Sequence, residues 1–90
     1  MQVRLTLKAE QDLDKIYEYI LTEYQSAETA KNIINGILDS IETLEAFPHR
    51  CSEYRLNENY RVLFYKSYNI IFEIDDVVRV HSILPSVMIN

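Results

Sequence analysis

Residues 60–84 read YRVLFYKSYNIIFEIDDVVRVHSIL, and this stretch decides the fold. Apolar and polar side chains alternate in it with a period of two, which is typical of strands with one buried face. Three segments carry the alternation: 60–65, 68–75 and 77–84. The dipeptides Lys66-Ser67 and Asp75-Asp76 between them suit tight hairpins. The stretch therefore predicts a three-stranded antiparallel meander.

The first half of the chain predicts one strand and two helices. Residues 2–8 alternate like a strand, which we expect at a sheet edge beside a later strand. Two stripes of apolar residues at helical spacing follow. Thr6 and Ser26 are suitable helix N-caps, and Phe47-Pro48 ends the second helix because the residue before a proline resists helical geometry.

The short break at Gln25-Ser26 implies that the two helices form an antiparallel hairpin. Residues 49–59 are a polar connector. The order β-α-α-β-β-β predicts an α+β fold in which a four-stranded antiparallel sheet packs on the two-helix hairpin. Ninety residues suit a single domain, 1–90.

Composition narrows the class of protein. A hydrophobic content of 48% favours a globular chain over a disordered one. The apolar runs are too short for a signal peptide or a membrane span. The lone Cys51 has no partner for a disulfide within the chain. We therefore expect a cytoplasmic protein without a membrane partner. The net charge is −5, and the excess acids all lie in residues 1–46. Contact with a nucleic acid is therefore expected only through the sheet half.

Side-chain alternation assigns the strand residues to two faces. The more apolar face is expected to pack on the helices, which leaves the other face free for function. The residues predicted on that free face are Arg4, Thr6, Arg61, Tyr65, Glu73, Arg79 and His81.

Several motifs in this order suggest a family. They are TLKAEQDL at 6–13, Leu44 with Phe47-Pro48, YRVL at 60–63, YNIIFEID at 68–75 and the last strand at 77–84. With them the chain resembles the RelE/ParE superfamily of toxins from bacterial type II toxin–antitoxin modules, including plasmid-stabilisation modules, and it matches the ParE-like branch best. The resemblance implies growth inhibition and a cognate antitoxin encoded beside the toxin. ParE-like members inhibit DNA gyrase, whereas RelE-like members cut mRNA on the ribosome.

The sequence departs from the RelE-like pattern. Arg61 matches one of its basic positions, but Asn69 stands where an arginine is expected, and Pro85-Ser86 begins the segment where a basic cluster is expected. The first hypothesis is therefore a ParE-like gyrase inhibitor. The alternatives are a RelE-like endoribonuclease and a decayed toxin that survives as an antitoxin-binding subunit.

The endoribonuclease hypothesis needs a cation for the scissile phosphate and a group that transfers protons. Arg61 and Arg79 are the candidate cations. His81 is the candidate acid or base because its unperturbed pKa lies near neutrality, and Glu73 is the alternative base. In the alternative interpretation, Arg61, Glu73 and Arg79 form cross-strand ion pairs on a solvated face.

Target contact, with nucleic acid or protein, is assigned to Arg50, Arg61, Tyr65 and Glu73. His49 and His81 lack a third ligand at metal-binding spacing, so no metal or cofactor is expected. The antitoxin is expected to dock a helix or a strand, the latter at an open sheet edge. Because the helices are acidic, its contacting segment is expected to be basic.

Overall fold

The described part of the chain forms two α-helices and five β-strands. The computed structural model describes residues 1–86. The strands are β1 (Val3–Leu5), β2 (Ser52–Tyr54), β3 (Asn57–Tyr65), β4 (Tyr68–Ile74) and β5 (Val78–Pro85). The helices are α1 (Leu7–Tyr24) and α2 (Ala27–Glu42), and short 3₁₀ turns follow at Thr43–Glu45 and Pro48–Arg50. The predicted α+β fold is confirmed. The sequence also predicts an irregular tail at 85–90; Pro85 instead ends β5, and positions 87–90 lie outside the described residues.

The strands form one sheet in the order β1-β5-β4-β3-β2. Strands β2 to β5 pair antiparallel, which confirms the meander, and β1 pairs parallel to β5 at the edge, which confirms its predicted place beside a later strand. The prediction of four strands in an antiparallel sheet was wrong, because the sheet has five strands and is mixed. The additional strand, β2, has only three residues, too few to show a period of two.

Each helix begins where its predicted N-cap stands. Thr6 Oγ1 accepts a hydrogen bond from the backbone N–H of Ala9 at 3.1 Å, and Ser26 Oγ accepts one from Thr29 N–H at 3.1 Å. These bonds satisfy backbone donors that have no partner inside the first helical turn. Between the helices, Gln25 takes a left-handed conformation (φ 51°), which lets α2 fold back against α1.

The core lies between the helix hairpin and one face of the sheet. Ile16 and Ile37 from the helices meet Ile70, Phe72 and Val80 from the strands. All five side chains are buried. Burial of such side chains contributes about 1.5–3 kcal/mol each relative to exposure, so this layer is the main source of stability.

Strand register corrects the predicted assignment of side chains to faces. Tyr65 pairs with Tyr68 and Leu63 pairs with Ile70, so Arg61, Leu63 and Tyr65 lie on the helix side of the sheet. Both alternating sets of β3 contain aromatic and aliphatic residues, so hydrophobicity alone did not separate them. The registration of β3 against β4 decides which set faces the helices.

A β-bulge in β5 moves the later residues of that strand by one position. Phe72 pairs with Val80 but Ile71 pairs with Ser82, so His81 is the additional residue. Beyond the bulge Ile83 faces the core and Ser82 does not, the reverse of the strict alternation predicted from the sequence.

Candidate functional site

The sheet face opposite the helices, called the open face below, carries a charged cluster at its β4–β5 end. Arg79 Nη1 lies 3.2 Å from Glu73 Oε1 and 3.1 Å from Asp75 Oδ2. Arg79 donates these hydrogen bonds to the two carboxylates, and they raise its pKa, the one to Asp75 more than the one to Glu73. Hydrogen bonding with Asp76, through its side chain and its backbone N–H, and then with Arg79 lowers the pKa of Asp75 to about 2. The guanidinium is thus compensated by two carboxylates. The ion-pair interpretation is confirmed for Glu73 and Arg79, whereas Arg61, which it also included, takes no part in this cluster.

His81 is held from two sides. Its ring lies 5.1 Å from the ring of Tyr60, at an angle of 47°. Its backbone carbonyl accepts a hydrogen bond from Thr6 Oγ1 at 2.9 Å. Thr6 was predicted among the free-face residues, but its side chain caps α1 and ties that helix to the β5 bulge. His81 is therefore fixed in place beside Tyr60 as part of the link between α1 and β5.

Arg61 lies on the other side of the sheet from Arg79. Its Nη1 donates to the backbone carbonyls of Cys51 at 2.6 Å and of His49 at 3.4 Å. The prediction that Arg61 shares a face with Arg79 and His81 was wrong, because the β3–β4 register turns Arg61 toward the connector before β2. The arrangement required for phosphate cleavage by these three residues is not formed, and their catalytic role stays a prediction without geometric support. Burial raises the pKa of the neighbouring Cys51 thiol, which disfavours a nucleophilic thiolate.

Arg50 and Tyr65, which were both predicted to contact the target, make contacts within the fold. Arg50 donates to Phe47 O at 2.8 Å and to Thr43 Oγ1 at 2.7 Å, so it holds the turns that follow α2. Tyr65 packs on α2, with its hydroxyl directly over Gly36. The placement of Tyr65 on the free face was wrong. Of the predicted target-contacting set, Glu73 lies on the open face with Arg79.

A groove of about 880 Å³ lies on the helix side, between α1, the β3–β4 turn and the end of β5. Its apolar lining includes Ile16, Ile20, Ile33 and Ile83. Sequence reasoning missed this groove, because the stripe that contains Ile16 and Ile20 serves the core and the groove together. The sequence did contain one signal, the large aromatic residue Tyr19 directly beside that stripe. In the structure its side chain is 61% exposed.

The polar lining of the groove consists of three lysines, three tyrosines, one acid, and the hydroxyl residues Thr29, Ser67 and Ser86. Lys8, Lys15 and Lys66 contribute ammonium groups. Burial raises the pKa of Tyr68, and the nearby Tyr19 and Tyr24 phenols raise it further. The Tyr68 phenol thus stays protonated near neutral pH and can donate a hydrogen bond.

The acid, Asp12, is already engaged. Its Oδ2 accepts hydrogen bonds from Ile83 N–H at 2.9 Å and from Lys8 Nζ at 2.9 Å.

Residues 1–86 contain no group of three or more His, Cys, Asp or Glu placed to hold a metal ion. In the same described part of the chain, none of the helices has the length and hydropathy needed to cross a membrane.

Comparison with known families decides the classification. The model of the family described as "ParE toxin of type II toxin-antitoxin system, parDE" matches residues 3–89. The chain belongs to the ParE toxin family. A solved structure described as "Chromosomal ParDE TA system from P. aeruginosa" matches this ParE family chain with a TM-score of 0.82 at 21% identity, covering 94% of this chain and 95% of that one. At that identity the match shows a shared fold. No curated protein matches the chain in sequence. The resemblance to the RelE/ParE superfamily is confirmed.

Proposed function

We propose that this member of the ParE toxin family acts by binding and inhibiting DNA gyrase and that a cognate antitoxin neutralises it. The match of the family model to residues 3–89 is the observation that carries the proposal. Inhibition by binding requires surfaces for a protein partner and no catalytic group. The proposal places the chain in the cytoplasm, where gyrase acts.

The geometry favours a binding protein over a RelE-like nuclease. Phosphate cleavage needs a cation that can hold the developing charge of the phosphate oxygens. Arg79 is engaged by two carboxylates, and Arg61 is engaged by backbone carbonyls on the other side of the sheet. Neither guanidinium is therefore available beside His81 to hold the phosphate during cleavage.

The groove supports binding of an antitoxin segment. It combines an apolar floor with polar groups at its rim, the combination on which an amphipathic helix docks. The open face lies on the other side of the sheet. An antitoxin bound in the groove and a target bound at the open face would therefore contact different residues.

The test combines purified components with short induction in cells. The purified chain is expected to stop gyrase from supercoiling a relaxed plasmid while leaving a type I topoisomerase active. In cells, brief induction is expected to change plasmid supercoiling before protein synthesis falls. Arrest of translation with unchanged supercoiling would favour the ribosomal alternative instead. Normal growth during strong expression without any antitoxin would favour the decayed-toxin alternative.

A further inference from the structure

We propose that a small cavity on the open face receives one apolar side chain of the target protein, and that Asn69 donates a hydrogen bond to the backbone carbonyl beside that side chain. The cavity has a volume of about 210 Å³ and is formed by β2, β3 and the start of β4. The inference rests on the proposed function in one respect, namely that the target is gyrase.

Strand register places the lining of the cavity on the open face. Val62 and Phe64 alternate along β3 with the residues that face the helices. Val62 pairs with Ser52 of β2, and Phe64 pairs with Asn69 of β4, so these four side chains share one face. Tyr54 of β2 also lines the cavity. Both helices pack on the other side of the sheet, so the cavity is separate from the groove and faces outward.

Asn69 is a buried polar residue with a donor that opens into this cavity. The residue is only 5% exposed, and its Oδ1 accepts a hydrogen bond from Ser86 Oγ at 3.3 Å. Within residues 1–86 the hydrogen bonds include none from its Nδ2. Since no fully buried side-chain nitrogen or oxygen in that part of the chain lacks a partner, this Nδ2 reaches solvent, and the cavity that Asn69 lines is the opening. The amide therefore presents N–H donors to a group that enters the cavity, and Ser86 fixes its orientation.

The lining selects an uncharged, apolar group. Tyr54, Val62 and Phe64 supply nonpolar surface. Glu53 and Arg55 are the charged residues of the described lining, and their charges cancel. Because electrostatic potentials match across an interface, a neutral lining favours a neutral occupant. Phosphates would require a surplus of basic side chains, so the lining disfavours a nucleic acid.

The size of the cavity limits the occupant to about one side chain. Liquid water takes about 30 Å³ per molecule, so 210 Å³ corresponds to about seven waters, which is the size of a large side chain and too small for a helix. Phe64 stands beside the cavity and is 66% exposed, and aromatic residues beside pockets commonly form the centres of protein interfaces. A loop of the target that inserts one apolar side chain and places its backbone carbonyl against Asn69 uses both features.

The first test measures binding to the cavity alone. N-acetyl-L-leucinamide carries an apolar side chain beside a carbonyl, and N-acetylglycinamide carries the same carbonyls without the side chain. Each is titrated into the intact ¹⁵N-labelled chain and followed by NMR. The leucine compound is expected to bind about tenfold more tightly and to shift the side-chain amide signals of Asn69 with the backbone signals of Val62 and Phe64. Equal binding of the two compounds, absence of shifts at Asn69, or larger shifts in the groove would overturn the inference.

The second test asks whether the cavity contacts gyrase. Phe64→Ala and Asn69→Asp are each expected to raise the concentration for half-inhibition of supercoiling about tenfold. Asn69→Asp keeps an oxygen for the Ser86 hydroxyl and removes the N–H donors. Leu56→Ala is the matched control, because it removes another exposed apolar side chain outside the described lining, and it is expected to change inhibition less than about twofold. Circular dichroism and thermal unfolding show whether each variant is folded.

The outcomes separate this inference from the proposed function. Equal effects of Phe64→Ala and Leu56→Ala would overturn the inference. So would a concentration-dependent dimer whose formation shifts the signals of Val62, Phe64 and Asn69, since the occupant would then be a second copy of the chain. If the parent chain does not inhibit gyrase, the proposed function fails, and the assignment of the occupant to gyrase fails with it. The titration with N-acetyl-L-leucinamide then still decides whether the cavity binds such a side chain.

Discussion

Asp12 Oδ2 accepts a 2.9 Å hydrogen bond from the backbone N–H of Ile83, which joins the second turn of α1 to β5 just beyond the bulge at His81. The bulge disturbs the pairing of β5 with β4 locally, and the carboxylate supplies a partner to a buried donor close to it. Asp12 therefore fixes the position of α1 relative to the sheet edge, and with it the width of the groove.

Asp12→Ala is expected to destabilise the chain by about 1–3 kcal/mol, because the buried N–H of Ile83 loses its acceptor. Asp12→Asn keeps an acceptor oxygen and is expected to lose less. Urea unfolding monitored by circular dichroism measures both values. Asp14→Ala removes an exposed acid from the same helix and serves as the control. Equal losses for Asp12→Ala and Asp14→Ala would contradict the structural role of the Ile83 hydrogen bond.

Gly36→Ala is expected to destabilise the chain, although alanine favours a helix over glycine by about 1 kcal/mol. A Cβ at position 36 would clash with the hydroxyl oxygen of Tyr65 and with the ring carbon that bears it, so either the Tyr65 ring or α2 must shift. Thermal unfolding measures the loss. Asn35→Ala, at the exposed neighbouring position, is the control for helix propensity.

A double-mutant cycle isolates the clash between α2 and Tyr65. Tyr65→Leu removes the ring and hydroxyl at a cost in packing, and Gly36→Ala is then expected to be neutral or stabilising in that background. Additive effects of the two substitutions would show that the ring of Tyr65 does not limit the residue at position 36.

Arg61→Ala is expected to cost about 1–3 kcal/mol, since the carbonyl of Cys51 loses a charged donor at 2.6 Å. Arg79→Ala is expected to cost less than Arg61→Ala, because its ion pairs lie on a partly exposed surface where solvent screens them. Denaturant midpoints of the two variants give the comparison. A larger loss of stability for Arg79→Ala than for Arg61→Ala would contradict the assignment of Arg61 as the more important of the two arginines for the fold.

How far the sequence predicted this structure depended on whether the signal was local. The caps Thr6 and Ser26 and the period of two in the late strands are local patterns, and they placed the helices and the meander correctly. The side of the sheet that Arg61 occupies depends on registration between β3 and β4, and the side that Ser82 occupies depends on a bulge. A single sequence carries no local sign of either, so the predicted placement of Arg61 on one face with Arg79 and His81 was wrong. The groove requires the contact of α1 with the end of β5, which periodicity does not describe.

The Asp75 carboxyl supplies a test of the open-face cluster by pH. Its pKa is expected near 2, and in Arg79→Ala it is expected to rise yet to stay below the usual 3.8, because the hydrogen bonds with Asp76, which lower the pKa most, remain. A folded-state pKa below the unfolded value means that the contribution to stability is complete above about pH 3.8 and is lost as the pH falls toward 2. NMR titration of the side-chain carboxyl carbons measures the pKa in both proteins. A value near 3.8 in the parent chain would mean that the cluster does not hold Asp75 ionised. A full return to 3.8 in Arg79→Ala would mean that Arg79, and not Asp76, controls it.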